Sequence, residues 1–412
     1  MFEAFGMFGT FDRSGTGSSK WARAGAGRIA LGLADMDLPG PPAIGEALAA
    51  RARHGAFGYT VCDPGGRRLV ADWYRRRHAV EVDPDWVMLL PFGPRTAVRL
   101  LLEAAPDAPV VFGSPEWGGF GQLCRAAGLA HREVPYARDA DGYRLPLAEF
   151  ARPRPGVVLL SSPHNPSGQL WQHTEIRALA ELAAESGGLL ISDEVHGDLT
   201  HPDAGARHPV AVAVAGGAAR HTVTLNSVGK TFNTSGIPSC FALVPDEGLR
   251  ERLTAVMAGH GLWEGGLLEQ TVQQAALAEG EEWLDGLLKH LTEARELAVG
   301  ALGGAVTVRP QASYLLWLDG AGLARAAGLD GWAAGPESGS AGQEGRTAGR
   351  TAGSEGRTAA GVREQLLTER DVELSDGSEF GRAGLGGLRL NYALPLGRLR
   401  LALTRLTCTE RL

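Results

Sequence analysis

Between residues 85 and 245, short apolar runs alternate with longer stretches of helical period, and this alternation is what most restricts the fold. Pro109 to Phe112, Gly156 to Leu160, Gly188 to Ile191 and Val223 to Leu225 are each bounded by Gly, Pro or polar residues. Such short runs, apolar at every position but Thr224, suit buried strands covered on both faces. The segments between them, such as Glu175 to Glu185, carry apolar residues at helical spacing. The chain is therefore read as α/β, with repeated βα units building a mostly parallel sheet flanked by helices. Asn165, Asp193 and Lys230 fall at or just beyond the C-terminal ends of these runs. In an open α/β sheet that edge is where ligands bind.

A chain of 412 residues has room for two domains. Gly280 to Leu302 is one long helical pattern, with Trp283, Leu284, Leu287, Leu288 and Leu291 on one side. We expect it to lead from a large domain at 49–285 into a smaller α+β domain at 286–412, on which the N-terminal segment 1–48 folds. Residues 333–361 break the pattern. They hold only Ala, Gly, Pro, Glu, Ser, Gln, Arg and Thr, and repeat Gly-Arg-Thr-Ala at Gly345, Gly349 and Gly356. Such a segment has no apolar surface to bury and is expected to be a disordered insertion.

Composition excludes several partners. A net charge of −7 leaves no electrostatic footprint for nucleic acid or an anionic membrane. The cluster Arg75-Arg76-Arg77-His78 is expected to be the solvated end of a helix. No run of about 18 apolar residues predicts a spanning helix. Met1-Phe2-Glu3-Ala4-Phe5 lacks the basic start of a secretory signal. The four cysteines, Cys62, Cys124, Cys240 and Cys408, are scattered, which suits reduced thiols in a cytoplasm. The 11 histidines show no paired metal-ligand spacing, so no metal is expected.

Taken singly, the polar residues at the strand ends are unremarkable. A lysine there is ordinarily solvated, Asp193-Glu194 suits a helix N-cap, and Asn165-Pro166-Ser167-Gly168 suits a turn. Their order and spacing are more telling. Ser161 to Gly168 and Ser192-Asp193-Glu194-Val195-His196 are followed by Ser227-Val228-Gly229-Lys230-Thr231-Phe232-Asn233, then Leu388-Arg389-Leu390-Asn391. This series resembles the fold-type I pyridoxal phosphate (PLP) enzymes, the aminotransferase class I/II superfamily.

The resemblance implies a PLP Schiff base on Lys230, Asp193 at the pyridine nitrogen, Asn165 at the ring hydroxyl and Ser227 at the phosphate. It also implies Arg389 on the substrate carboxylate, Trp117 stacked on the ring, and Tyr59 reaching the phosphate of a neighbouring subunit in a homodimer. His196, Gly93 and Arg95 complete the implied cofactor contacts. These roles make physical sense. A carboxylate at the ring nitrogen strengthens the electron sink, a freed lysine amine moves protons at Cα, and a planar guanidinium forks onto a carboxylate.

Further stretches are similar to one branch, the MalY/PatB-type cysteine-S-conjugate (cystathionine) β-lyases. They are Asp12 to Trp21, Ala34-Asp35-Met36-Asp37-Leu38, His54 to Tyr59, Trp73 to His78, His196, and Phe380-Gly381 running into Arg389. The implied reaction is α,β-elimination from an amino acid, releasing a thiol, pyruvate and ammonia. Transamination starts from the same Cα carbanion and is the alternative within the enzyme class. A non-catalytic regulator is the alternative outside it, disfavoured by the intact Lys230, Asp193 and Arg389. Several residues depart from the branch. Pro94 and Arg95 sit in the phosphate cup, Gly229 precedes the lysine, and Pro238 and Ser239 follow it. Trp117 stands where a tyrosine is usual, and Trp263-Glu264-Gly265-Gly266 is unlike the group.

Overall fold

The computed structural model describes residues 8–9, 11–13, 15–105, 109–152, 154–329 and 358–407. Seven strands form the central sheet: β1 (Val87–Leu90), β2 (Val110–Ser114), β3 (His131–Pro135), β4 (Val157–Ser161), β5 (Leu189–Asp193), β6 (Thr222–Asn226) and β7 (Cys240–Leu243). Their order is β1-β7-β6-β5-β4-β2-β3. The four predicted runs are β2, β4, β5 and β6, each paired in parallel with its neighbour in that group. β7 is the exception, antiparallel to both β1 and β6. A fully apolar run such as Cys240–Leu243 reports burial on two faces but carries no sign of direction.

Alternate side chains of each strand feed different cores, as the two-residue period of a pleated strand requires. Val110, Phe112, Leu159 and Ile191 point into one apolar cluster. Val111, Val158, Leu160 and Leu190 point into another. Helix His173–Glu185 covers the second with Ile176, Leu179, Ala180 and Ala183. At its start the Glu175 carboxylate accepts from Gln172 N–H at 3.0 Å, and Glu175 N–H donates to Gln172 O at 3.0 Å.

In the last third of the chain, strands Leu315–Asp319, Ser375–Asp376 and Gly387–Asn391 form an antiparallel sheet. The predicted long helix runs over Glu281–Leu302 and buries Trp283, Leu284, Leu287, Leu288 and Leu291. Ile29–Ala30 pairs in parallel with Val372–Glu373, which lays the N-terminal segment along this part of the chain.

One expectation needs correction. Residues 358–361, assigned to the disordered insertion, open a helix: Thr358 accepts from Gly361 N–H and caps Ala359–Glu369. The helix is held by Ala359, Val362 and Leu366, all buried. The remainder of the expected insertion within 333–357 lies outside the described residues. Arg75 to His78 is the end of a helix, as expected, with Arg75 and Arg76 exposed, although Tyr74–His78 forms a π-turn and His78 is buried. Arg76 and Arg77 lie 5.9 Å from the Trp73 ring and pair with Glu281 and Asp285 on the long helix.

Candidate active site

Strands β4, β5 and β6 lie side by side, with Ser161 opposite Asp193 and Asp193 opposite Leu225. Their C-terminal ends open into a cavity of about 260 Å3. Asn165, Asp193, His196, Ser227 and Lys230 line it, together with Gly93, Arg95, Trp117 and Arg389. Nine of the ten predicted site residues thus converge from six separate stretches of sequence. The tenth, Tyr59, is 98% exposed and lies outside the cavity. A larger cavity of about 1080 Å3, bordered by Phe8, Trp21, His290 and Leu401, contains none of the ten.

Lys230 sits on a single turn, Val228–Thr231, capped by Ser227. Its ammonium donates to the Ala34 carbonyl at 2.6 Å. Burial lowers its pKa to about 8, despite the opposing pull of Asp35 and Asp193. A neutral amine is therefore within reach at ordinary pH. The segment that supplies Ala34 is fastened on both sides. Arg13 donates to Asp35 at 2.6 Å, and buried Lys20 to Asp37 at 3.0 Å. Asn391 donates to the carbonyls of Leu33 and Asp35, and Asn233 to those of Met36 and Leu38. The motifs around Asp12 and Asp35 therefore serve to hold a lid of backbone against the lysine.

Two buried charges in this cavity make no ion pair within 4 Å among the described residues. Asp193 accepts only from Val195 N–H, at 3.3 Å. Burial raises its pKa to about 7. Arg389 donates to neutral acceptors alone: Asn165 Oδ1 at 3.1 Å, Gly32 O at 2.9 Å and Ser375 Oγ at 3.4 Å. Its guanidinium lies 4.7 Å from the Phe380 ring, and burial lowers its pKa to about 10. Arg389 Nε is buried with no partner at all. Unpaired buried charges are costly, so such a pair in one cavity is suited to a ligand with a cationic N–H and a carboxylate.

The chain matches the aminotransferase class I and II family over residues 28–406. It belongs to that family. Cystathionine beta-lyase PatB of Bacillus subtilis is 29% identical, with 96% of this chain and 97% of that protein covered. A putative cystathionine beta-lyase of Mycobacterium tuberculosis is 30% identical, over 96% of this chain and 95% of that one. Among solved structures, cystalysin from Treponema denticola, which contains a pyridoxal 5'-phosphate cofactor, has a TM-score of 0.83 at 22% identity. It covers 97% of this chain and 98% of its own.

Within this aminotransferase-family site, two predicted residues are differently engaged than expected. Ser227 donates to Ser239 O at 2.5 Å and accepts from Gly229 N–H at 3.0 Å, so its hydroxyl already caps a turn. His196 Nδ1 meets Ser313 Oγ at 2.9 Å. Burial holds His196 well below the usual histidine range, and the nearby Lys230 and Arg389 charges push the same way.

Glu116 escaped the sequence reading. It is fully buried between Pro115 and Trp117, and all its partners are donors. Trp117 N–H lies at 2.6 Å, Tyr136 O–H at 2.9 Å and Ser161 N–H at 3.2 Å, with the Ser161 hydroxyl also in contact. Ser161 Oγ in turn accepts from Asn165 N–H at 3.0 Å. One carboxyl thus ties the indole side of the cavity to Asn165, and through Asn165 to Arg389. The sequence signal was a charged residue just past the end of an apolar strand.

Proposed function

We propose that this chain is a PLP-dependent carbon–sulfur β-lyase that eliminates a thiol from cystathionine or another S-substituted cysteine. The observation that carries the proposal is the meeting of Lys230 with the unpaired Asp193 and Arg389 in one cavity. The names of the PatB-type relatives support the reaction type.

The residues fit the cofactor. Asp193 is a buried acceptor with one hydrogen bond, and Asn165 and Trp117 line the same cavity. Lys230 would hold the aldehyde carbon. Pyridoxal phosphate, when bound, supplies an electron sink for negative charge at the substrate's Cα.

The chain's own residues do the rest. Arg389 takes the α-carboxylate on its planar fork, fixed in place by Asn165, Gly32 and the Phe380 ring. Lys230 Nζ, whose pKa burial lowers to about 8, accepts the Cα proton. The Cα–H and Cβ–S bonds break, a Cα–Cβ double bond forms, and sulfur leaves with its electron pair. A thiol with a pKa of about 8.5 makes that departure far easier than loss of a hydroxyl. The released aminoacrylate hydrolyses to pyruvate and ammonia. Leu33, Ala34, Val195 and Pro238 give the cavity an apolar wall that limits water around Lys230.

The proposal extends to a homodimer in the cytoplasm. Phe57, Tyr59, Val61 and Trp263 are exposed together, with the Tyr59 and Trp263 rings 6.2 Å apart. An apolar group of this kind suits burial against a second copy, with Tyr59 reaching the neighbour's cavity. The described cysteines, Cys62, Cys124 and Cys240, are free thiols, and no described helix is long and apolar enough to cross a membrane. We also propose that 1–48, 49–285 and 286–412 are the units of the fold, supported by the pairing of Ile29–Ala30 with Val372–Glu373.

Incubating the purified protein with PLP and either cystathionine or an S-alkyl cysteine tests the reaction. Pyruvate and free thiol are expected in equal amounts with no keto acid added. Consumption that requires a keto acid and releases no thiol would replace elimination by transamination.

A further inference from the structure

We infer that Arg95 supplies the positive charge that holds the cofactor's phosphate in this chain, with Gln122 positioning it. The inference rests on the PLP reading of the cavity.

A phosphate monoester carries about −1.5 to −2 charges at pH 7 and needs donors or a cation to offset them. The usual donors are scarce here. Helix Pro94–Ala104 begins at the cavity with Gly93 as its N-cap and proline at its first position. Proline has no N–H, which removes one of the free donors that a helix start otherwise offers. The next free amides are also reduced, since Thr96 N–H bonds Gly93 O at 3.0 Å. Ser227, the predicted hydroxyl donor, spends its proton on Ser239 O.

The cations can be sorted by the roles proposed for them. Lys230 is assigned to the aldehyde carbon and Arg389 to the substrate carboxylate. Of the Lys and Arg side chains lining the cavity, only Arg95 is left. Its guanidinium has one partner, the neutral Gln122 Oε1 at 2.8 Å, and no carboxylate within ion-pair reach among the described residues. It is also at the right end of the cavity. A Cβ added to Gly93 would lie 3.6 Å from Pro238, so the helix start abuts the 238–239 segment. There Ser239 Oγ is buried, lines the cavity and has no hydrogen-bond partner. A Cβ on Gly229 would sit 3.1 Å from Ser227 Oγ and 3.3 Å from Ser235 Oγ, so glycine there keeps the same corner open.

An orphaned buried hydroxyl and a helix N-terminus therefore border one corner, with the exposed Arg95 at its rim, bonded to Gln122 and to no carboxylate among the described residues. Guanidinium binds phosphate oxygens through parallel N–H bonds, and the helix dipole adds to the attraction. The departures at Pro94 and Arg95 become a single exchange, in which backbone donors are replaced by a full charge. Gln122, on helix Gly119–Ala126 just after Trp117, keeps that charge at the rim.

The test compares pyridoxal phosphate with pyridoxal, which lacks only the phosphate. Apo wild type, Arg95→Ala, Arg95→Lys and Gln122→Ala are titrated with each compound by cofactor absorbance, with the melting temperature of each apo protein as a folding control. Arg95→Ala is expected to weaken pyridoxal phosphate by about 10- to 100-fold, the scale of a lost charge-assisted contact, and to leave pyridoxal within about twofold. Arg95→Lys should recover part of the loss, because it restores charge without the fork. Gln122→Ala should fall between Arg95→Ala and wild type. An unchanged affinity for pyridoxal phosphate, or an equal loss for both compounds, would overturn the assignment of Arg95 alone. Wild type that takes up neither compound would overturn the cofactor reading itself, and this inference with it.

Discussion

Lys230→Met is expected to lose carbon–sulfur lyase turnover by about 10,000-fold or more while gaining stability in the apo form. The activity loss follows from two roles held by one atom. Nζ anchors the cofactor and accepts the Cα proton, and a positioned base alone is worth up to about 10,000-fold. The gain in stability follows from the direction of its pKa. Folding lowers the Lys230 pKa from 10.5 to about 8, chiefly by burial. Between those two values the unfolded chain binds more protons than the folded one, so stability rises with pH across that window. Below pH 8 both states carry the ammonium, and the full cost of burying it is present. Methionine fills similar space with no charge. Thermal unfolding of apo protein at pH 7 should therefore show a higher midpoint for Lys230→Met than for wild type. A large fall in the midpoint would mean that the ammonium's bond to Ala34 holds the site together rather than burdening it.

Asp193→Asn is expected to reduce turnover by about 100- to 1000-fold, the usual scale for loss of one preorganised electrostatic partner. Its stability signature has the opposite pH sense. Folding raises the Asp193 pKa from 3.8 to about 7, again chiefly by burial. Between those values the folded chain binds more protons, so this residue makes the apo protein less stable as pH rises from about 4 to about 7. The slope contributed by one such group is at most about 1.4 kcal/mol per pH unit. Glu116, whose pKa is also raised to about 7 by burial, acts in the same window. The difference between wild type and Asp193→Asn isolates Asp193, because Glu116 is common to both. Apo Asp193→Asn should be the more stable protein at pH 8, and the gap should close towards pH 4. A gap that does not change with pH would show that Asp193 is already ionised and satisfied without a cofactor.

These residues were legible in the sequence for a simple reason. A polar side chain at or just past the end of a buried strand must face whatever lies at the sheet edge, so Asn165, Asp193 and Lys230 announced a site. Arg389 lay outside that logic and was found through its motif, because the antiparallel strand Gly387–Asn391 delivers it from the far end of the chain. Pairings that form only in three dimensions left little trace. Nothing near Glu116 in sequence shows that Tyr136 and Ser161 will supply its donors. The Ser313 hydroxyl reaches His196 across 117 residues, from a backbone at φ 71° that favours glycine. The helix at Ala359–Glu369 was partly hidden by composition, since its capping Thr358 and first turn continue the Gly-Arg-Thr-Ala repeat. Direction was invisible too, as the antiparallel β7 shows.

The sequence contains only three lysines, Lys20, Lys230 and Lys289. Lys20 is buried against Asp37 in the N-terminal segment, and Lys289 borders the separate cavity beside Phe8. Borohydride reduction of the protein loaded with pyridoxal phosphate, followed by peptide mapping, tests the central claim directly. The phosphopyridoxyl mass is predicted on the peptide containing Lys230 and on neither of the other two. Label on Lys20 or Lys289, or an unlabelled and colourless protein, would contradict the account.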